Sequence, residues 1–110
     1  MSPTAKVLTV YHAGPVCVVG FGNHEVHPNL NLAQCRDEIV ELVQQTQCHT
    51  LAFDLTSIKF LPSGLLGLIS SSRKLNVEVH LYNPSDDVQD VLKVTKLNEV
   101  LHIHQLEVNS

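Results

Sequence analysis

Positive charge is scarce in this sequence and nowhere clustered. Seven Lys and Arg residues stand against eleven Asp and Glu, a formal charge of −4, and among the cations only Arg73 and Lys74 are adjacent. Phosphate contacts need a stripe of such residues, so the composition argues against nucleic acid as a ligand. Long apolar runs are missing too. None approaches the roughly 20 residues that span a bilayer, which argues against membrane insertion. The opening MSPTAKVLTVYH lacks the basic-then-apolar order of a secretory signal. Cys17, Cys35 and Cys48 are odd in number and show no CxxC spacing. Cys17 falls in a β-like run and Cys35 on a helical apolar face, which suits buried thiols in a reducing, cytoplasmic setting. Also absent are GxGxxG after a strand, GxxxxGK[ST], HExxH and GxSxG. No activated nucleophile or acid–base pair stands out, so neither an enzyme nor a cofactor is expected.

What is present suits one domain, residues 1–110, with 44% apolar and 16% charged residues, enough for a single core. VLTVY (Val7 to Tyr11) and VCVVGF (Val16 to Phe21) are β-rich runs separated by the turn signal Ala13-Gly14-Pro15. After a polar loop, Asn31 stands as a cap before a helix whose Leu32, Cys35, Ile39, Leu42 and Val43 recur on one face. HTLAFDL is the next strand, ending at Asp54, and Pro62-Ser63-Gly64 opens a second helix that should run to about Leu75. VEVHLY follows as a strand. Asn83-Pro84-Ser85 then caps a third helix with Val88, Val91 and Leu92 as its buried face, and Leu97 to Ile103 suits a short turn and strand. The order β-β-α-β-α-β-α implies an α/β fold with a mixed, mostly parallel sheet of four or five strands. In the fourth strand Val77, Val79 and Leu81 alternate with Glu78, His80 and Tyr82. Strands covered on both faces read as continuous apolar runs, so this alternation places the helices mainly on one face.

Three constellations invite a chemical reading. Among the seven His, His24 and His27 fall in a loop, while His102 and His104 sit two apart, on one side of a strand. A closed zinc site needs four ligands, and no third or fourth is spaced for it, so surface histidines without a structural metal are expected. Asp54 ends the third strand, where parallel sheets form ligand crevices; alternatively its carboxylate ties down the following connector. Ser63, beside Pro62, is expected as cap or first-turn residue, its hydroxyl directed at unpaired N–H groups. Taken alone it is a helix start. A phosphate there would nevertheless gain from the helix dipole and leave the domain folded, while adding nearly two negative charges to the surface.

Two blocks carry a resemblance. LAFDLTSIKFLPSGLLGLI resembles the core pattern of the STAS domain family: a strand ending in Asp, a connector with an aromatic-apolar pair, a Ser-centred helix start, then Leu-Gly. VEVHLYNPSDDVQDVLKVTKLNEVLHI resembles the family's fourth strand, its Asn-Pro turn and the helix closing with Thr-x-Leu. The likeness extends from about Val7 to His104. It implies the fold of bacterial anti-sigma factor antagonists and a role as partner rather than catalyst. It further implies an anti-sigma factor, a GHKL-type serine kinase, or a related signalling protein as partner, with Ser63 matching the phosphoacceptor and Asp54 the acidic residue beside it. Asp54, Leu61, Pro62, Ser63 and Gly64 are the expected contact residues. The sequence departs from the family pattern in having Pro62 where Asp is usual, Gly64 where Ser or Ala is frequent, and His27-Pro28-Asn29 in place of an acidic loop. The family's last helix is expected to be short or absent. Two other readings stay open: a constitutively docked accessory subunit of a transport or signalling complex, and a small nucleotide or lipid binder using the crevice by Asp54.

Overall fold

β-branched and apolar residues concentrate in five short runs, and in the computed structural model these form one sheet. The structure describes residues 6–22, 25–26 and 29–106; the His24/His27 pair, Pro28 and residues 107–110 lie outside the described residues. The strands are β1 (Thr9–His12), β2 (Val16–Gly20), β3 (Thr50–Asp54), β4 (Glu78–Tyr82) and β5 (His102–His104), paired in that spatial order. β1 and β2 are antiparallel, with an irregularity between Val10 and His12, and every other pair is parallel. The parallel crossovers carry the helices α1 (Leu32–Thr46), α2 (Ser63–Ser71) and α3 (Asp86–Val94). No helix among the described residues is long and apolar enough to cross a membrane.

The alternation read from the sequence decides the layering. Cys17 and Val19, Leu51 and Phe53, Val79 and Leu81 point to one side, where they bury against Cys35 and Ile39 of α1, Leu65, Leu66 and Ile69 of α2, and Val88 and Leu92 of α3. Each such aliphatic or aromatic side chain taken from water contributes about 1.5–3 kcal/mol. The helices share this face. The other face carries Val16, Val18, Thr50, Ala52, Glu78, His80, Tyr82, His102 and His104, in register across four strands. Burial and the neighbouring imidazoles of His102 and His104 hold His80 below the ordinary histidine value.

Two of the three helix starts behave as their sequence suggests. Asn31 accepts from the Gln34 N–H at 3.0 Å, and Ser85 accepts from the Val88 N–H at 3.2 Å, each side-chain oxygen filling an orphan donor of the first turn. α2 is shorter than expected: it gives way after Ser71 to a 3₁₀ segment, Ser72–Leu75, which holds Arg73 and Lys74 and ends on the left-handed Asn76 (φ 63°). Val91 is not part of the buried face of α3, being 45% exposed. All three thiols are buried and free, and desolvation, helped by the nearby Glu38 carboxylate, pushes Cys35 up to about 11.

Glu38 has a further task that helical spacing does not reveal. Its two carboxylate oxygens accept from the N–H groups of Val7 at 2.8 Å and Leu8 at 2.9 Å, fastening the start of β1 to α1. Charge-assisted bonds of this type are about twice as strong as neutral ones. Glu38→Ala should cost about 2 kcal/mol in chemical denaturation, with hydrogen exchange accelerated first at Val7 and Leu8. Glu38→Gln, keeping one acceptor oxygen, should cost about half as much.

Candidate functional site

β3 ends at Asp54, and the chain must reverse before α2 can pack on the sheet. Residues 55–62 make that reversal, and polar bonds fix it along its length. Asp54 Oδ1 accepts from the Thr56 N–H at 3.0 Å and from the Thr56 hydroxyl at 2.6 Å. Thr56 Oγ1 in turn accepts from the Asn83 amide at 3.0 Å, and Asn83 Oδ1 accepts from the Leu106 N–H at 2.7 Å. Ser57 takes a left-handed conformation (φ 71°) so that the Ile58 N–H can reach the Leu55 carbonyl at 3.1 Å. Asp54 therefore ties down the connector, the structural alternative raised for it above. Farther along, the Lys59 N–H donates to Glu25 at 2.9 Å, and its carbonyl accepts from the Ser85 hydroxyl at 2.8 Å.

Leu55 and Ile58 anchor the connector in the core, and this turns Phe60 outward. With 69% of its surface accessible, Phe60 is the most exposed aromatic among the described residues. It separates two shallow hollows. On one side lie Leu61, Leu66, Val88 and the exposed Val91; on the other Glu25, Val26, Leu61 and Pro62. An apolar surface on a pinned loop, rimmed by Lys59, Asp87 and Glu25, has the composition of a protein contact. The sequence expectation included Leu61 and omitted Phe60. A bulky aromatic in a connector, in a chain with three Phe and two Tyr, was the available signal.

Ser63 is exposed and is the first residue of α2, but it is not the cap. Pro62 holds the cap position (φ −55°, ψ 141°) with no side-chain cap hydrogen bond, and the first helical bond runs from the Leu66 N–H to the Pro62 carbonyl at 2.9 Å. The N–H groups of residues 63–65 open the helix and have no intrahelical acceptor, and proline supplies no side-chain acceptor for them. Gly64 is exposed, yet a Cβ built there would lie 2.7 Å from Leu32 Cδ1, so the glycine also makes room for the start of α1. Of the five expected contact residues, Leu61, Pro62, Ser63 and Gly64 form one continuous stretch. Asp54 does not join their hollows; it lines a separate one on the open sheet face with Val18, Tyr82, Asn83 and Leu106.

Because the Ser63 hydroxyl caps nothing, Ser63→Ala should change stability by less than about 0.5 kcal/mol, not the ~1 kcal/mol of a lost cap. Ser63→Asp should stay within about 1 kcal/mol, on the stabilising side, since a carboxylate meets the positive end of the helix. Denaturant midpoints of the two variants check both values.

The STAS domain model matches residues 30–108. No curated protein matches the chain. Among solved structures, an anti-sigma-factor antagonist (STAS) domain protein from Planctomyces limnophilus superposes with a TM-score of 0.73 at 20% identity, covering 91% of each chain. The anti-sigma factor antagonist SpoIIAA in its unphosphorylated form gives 0.75 at 17% identity, covering 91% of this chain and 88% of that one. Identities this low speak for the fold, and the family rests on the sequence model: with most of its length matched, the chain belongs to the STAS domain family.

Proposed function

We propose that this protein is a non-enzymatic regulatory module that captures a protein partner through Phe60, Leu61 and the start of α2, and that phosphorylation of Ser63 releases that partner. The observation that carries the reading is the placement of an exposed serine, on an uncapped helix start, three residues from an exposed phenylalanine on a pinned connector. An aromatic side chain centred on an apolar patch is the usual anchor of a protein contact. A serine at its edge gives that contact a chemical control. The neutral hydroxyl fits against a partner; a phosphoserine there brings nearly two negative charges into a desolvated surface and opposes binding. The partner we propose is an anti-sigma factor that is itself a GHKL-type serine kinase, able both to bind the patch and to modify Ser63. Transcription control in the bacterial cytoplasm is the corresponding setting. The likeness to two anti-sigma factor antagonist structures supports this choice over a crevice that binds a small molecule.

The test is a titration of such a partner with wild type, Ser63→Asp, Ser63→Ala and Phe60→Ala. Ser63→Asp should weaken binding at least about tenfold, roughly 1.4 kcal/mol. Ser63→Ala should bind like wild type, and Phe60→Ala should lose about 2 kcal/mol or more, as an interface anchor does. Equal affinity for wild type and Ser63→Asp would overturn the switch and leave a constitutively docked subunit. Retained binding by Phe60→Ala would move the contact elsewhere.

A further inference from the structure

The sheet face opposite the helices brings together residues that sequence spacing kept apart. Glu78 and His80 lie two residues apart on β4, and His102 is the direct neighbour of His80 on β5. Each of the three offers a ligand atom, and these atoms all lie within 4.8 Å of one another. His102 Nε2 is 3.3 Å and His80 Nε2 3.9 Å from the same oxygen, Glu78 Oε1. Two ligands each about 2.1 Å from one tetrahedral ion are about 3.4 Å apart. The first separation already has that value, and the second exceeds it by a fraction of an ångström. Glu78 and His102 are both exposed, so they are free to turn toward one centre, His102 giving up its 4.4 Å stack on His80 as it does so.

His104 adds a contact of the kind that orients a ligand histidine. His80 Nδ1 and His104 Nε2 are 2.8 Å apart and share a hydrogen bond. If His80 donates, its Nε2 carries the free lone pair and faces Glu78. That is the arrangement of metal-bound histidines, whose second nitrogen donates to an orienting acceptor. The ring of His104 is stacked on His80 at 5.0 Å and on Tyr82 at 4.6 Å, which fixes its plane.

We propose that Glu78, His80 and His102 bind one divalent transition-metal ion of the zinc type, with His104 as a positioning residue that selects the His80 tautomer. Two imidazoles and a carboxylate suit a borderline ion such as Zn²⁺ and not Mg²⁺, which prefers oxygen ligands and retains its waters. Three protein ligands leave a coordination position open to solvent. The site lies at the surface, so the ion adds little to folding, in keeping with a core complete without metal. This site is independent of the docking surface proposed above.

The test is calorimetric titration of Zn²⁺ alone into the full, metal-free chain at pH 7.5, with circular dichroism to confirm that each variant is folded. Wild type should take up one equivalent. His102→Ala and Glu78→Gln should each weaken binding at least about tenfold, and His104→Phe, which keeps a stacked ring but removes the acceptor nitrogen, should weaken it by about tenfold. The double variant His24→Ala/His27→Ala should bind as wild type does. Co²⁺ in place of Zn²⁺ should give d–d bands without thiolate charge transfer. No saturable uptake by wild type, unchanged affinity in His102→Ala, a thiolate band, or equal competition by Mg²⁺ would overturn the site. Wild-type affinity in His104→Phe would overturn the role given to His104.

Discussion

The hydrogen-bonded chain from Asp54 through Thr56 to Asn83 governs how this domain presents itself. A connector between a buried strand and a helix has to satisfy its own backbone groups while running over the surface, and without fixed partners it would be mobile. Here the Asp54 carboxylate sets the first turn, and Asn83, left-handed at φ 57°, reaches it from the end of β4. The same Asn83 accepts from Leu106 beyond β5, so one amide side chain joins three segments at the carboxyl end of the sheet. Ser85 then both caps α3 and holds the Lys59 carbonyl, which couples the third helix to the connector. Phe60 is exposed because everything around it is fastened.

The second organising constraint is the one-sidedness of the sheet. With α1, α2 and α3 all on one face, β2, β3 and β4 need only one apolar side, and their outward positions are released from packing. On β4 and β5 the outward face carries a row of rings, His102, His80, His104 and Tyr82, stacked at centroid distances of 4.4, 5.0 and 4.6 Å. Aligned parallel strands set neighbouring side chains close enough for such stacking. Cross-strand contacts of this kind also finish the edge of the sheet, where a strand of three residues has little backbone pairing of its own.

Legibility in the sequence followed the range of the interactions. The alternation in VEVHLY, the caps at Asn31 and Ser85 and the turn-forming Asp54 are local patterns, and the structure bears each of them out. The fold followed from those and from the order of the elements. Glu38 gives no local signal of its task, because its partners Val7 and Leu8 are about thirty residues away in sequence. Val91 has the spacing of a core residue, yet it faces the hollow beside Phe60, because the connector and not the sheet is its neighbour. The histidines illustrate the same limit: a search along the chain for a third ligand passes over Glu78, which lies beside His102 only once β4 and β5 pair. Ser63 was expected as cap or first-turn residue, and the structure settles on the second, since Pro62 holds the cap position.

The pinned connector bears on what form the proposed phosphorylation of Ser63 would take. A phosphate can switch a protein by melting a segment, by ordering one, or by changing the charge of a surface that keeps its shape. Melting is opposed here, because the helix start has free N–H groups that attract negative charge and the connector behind it is held from Asp54, Glu25 and Ser85. Ordering is opposed as well, since those bonds are already made in the unmodified chain. Charge on a rigid surface remains. In the proposed switch the partner, not the domain, would undergo the energetic change: groups fitted against a neutral helix start would become unfavourably placed. The proline at the cap position sharpens this, since it offers the N–H groups of residues 63–65 no competing side-chain oxygen.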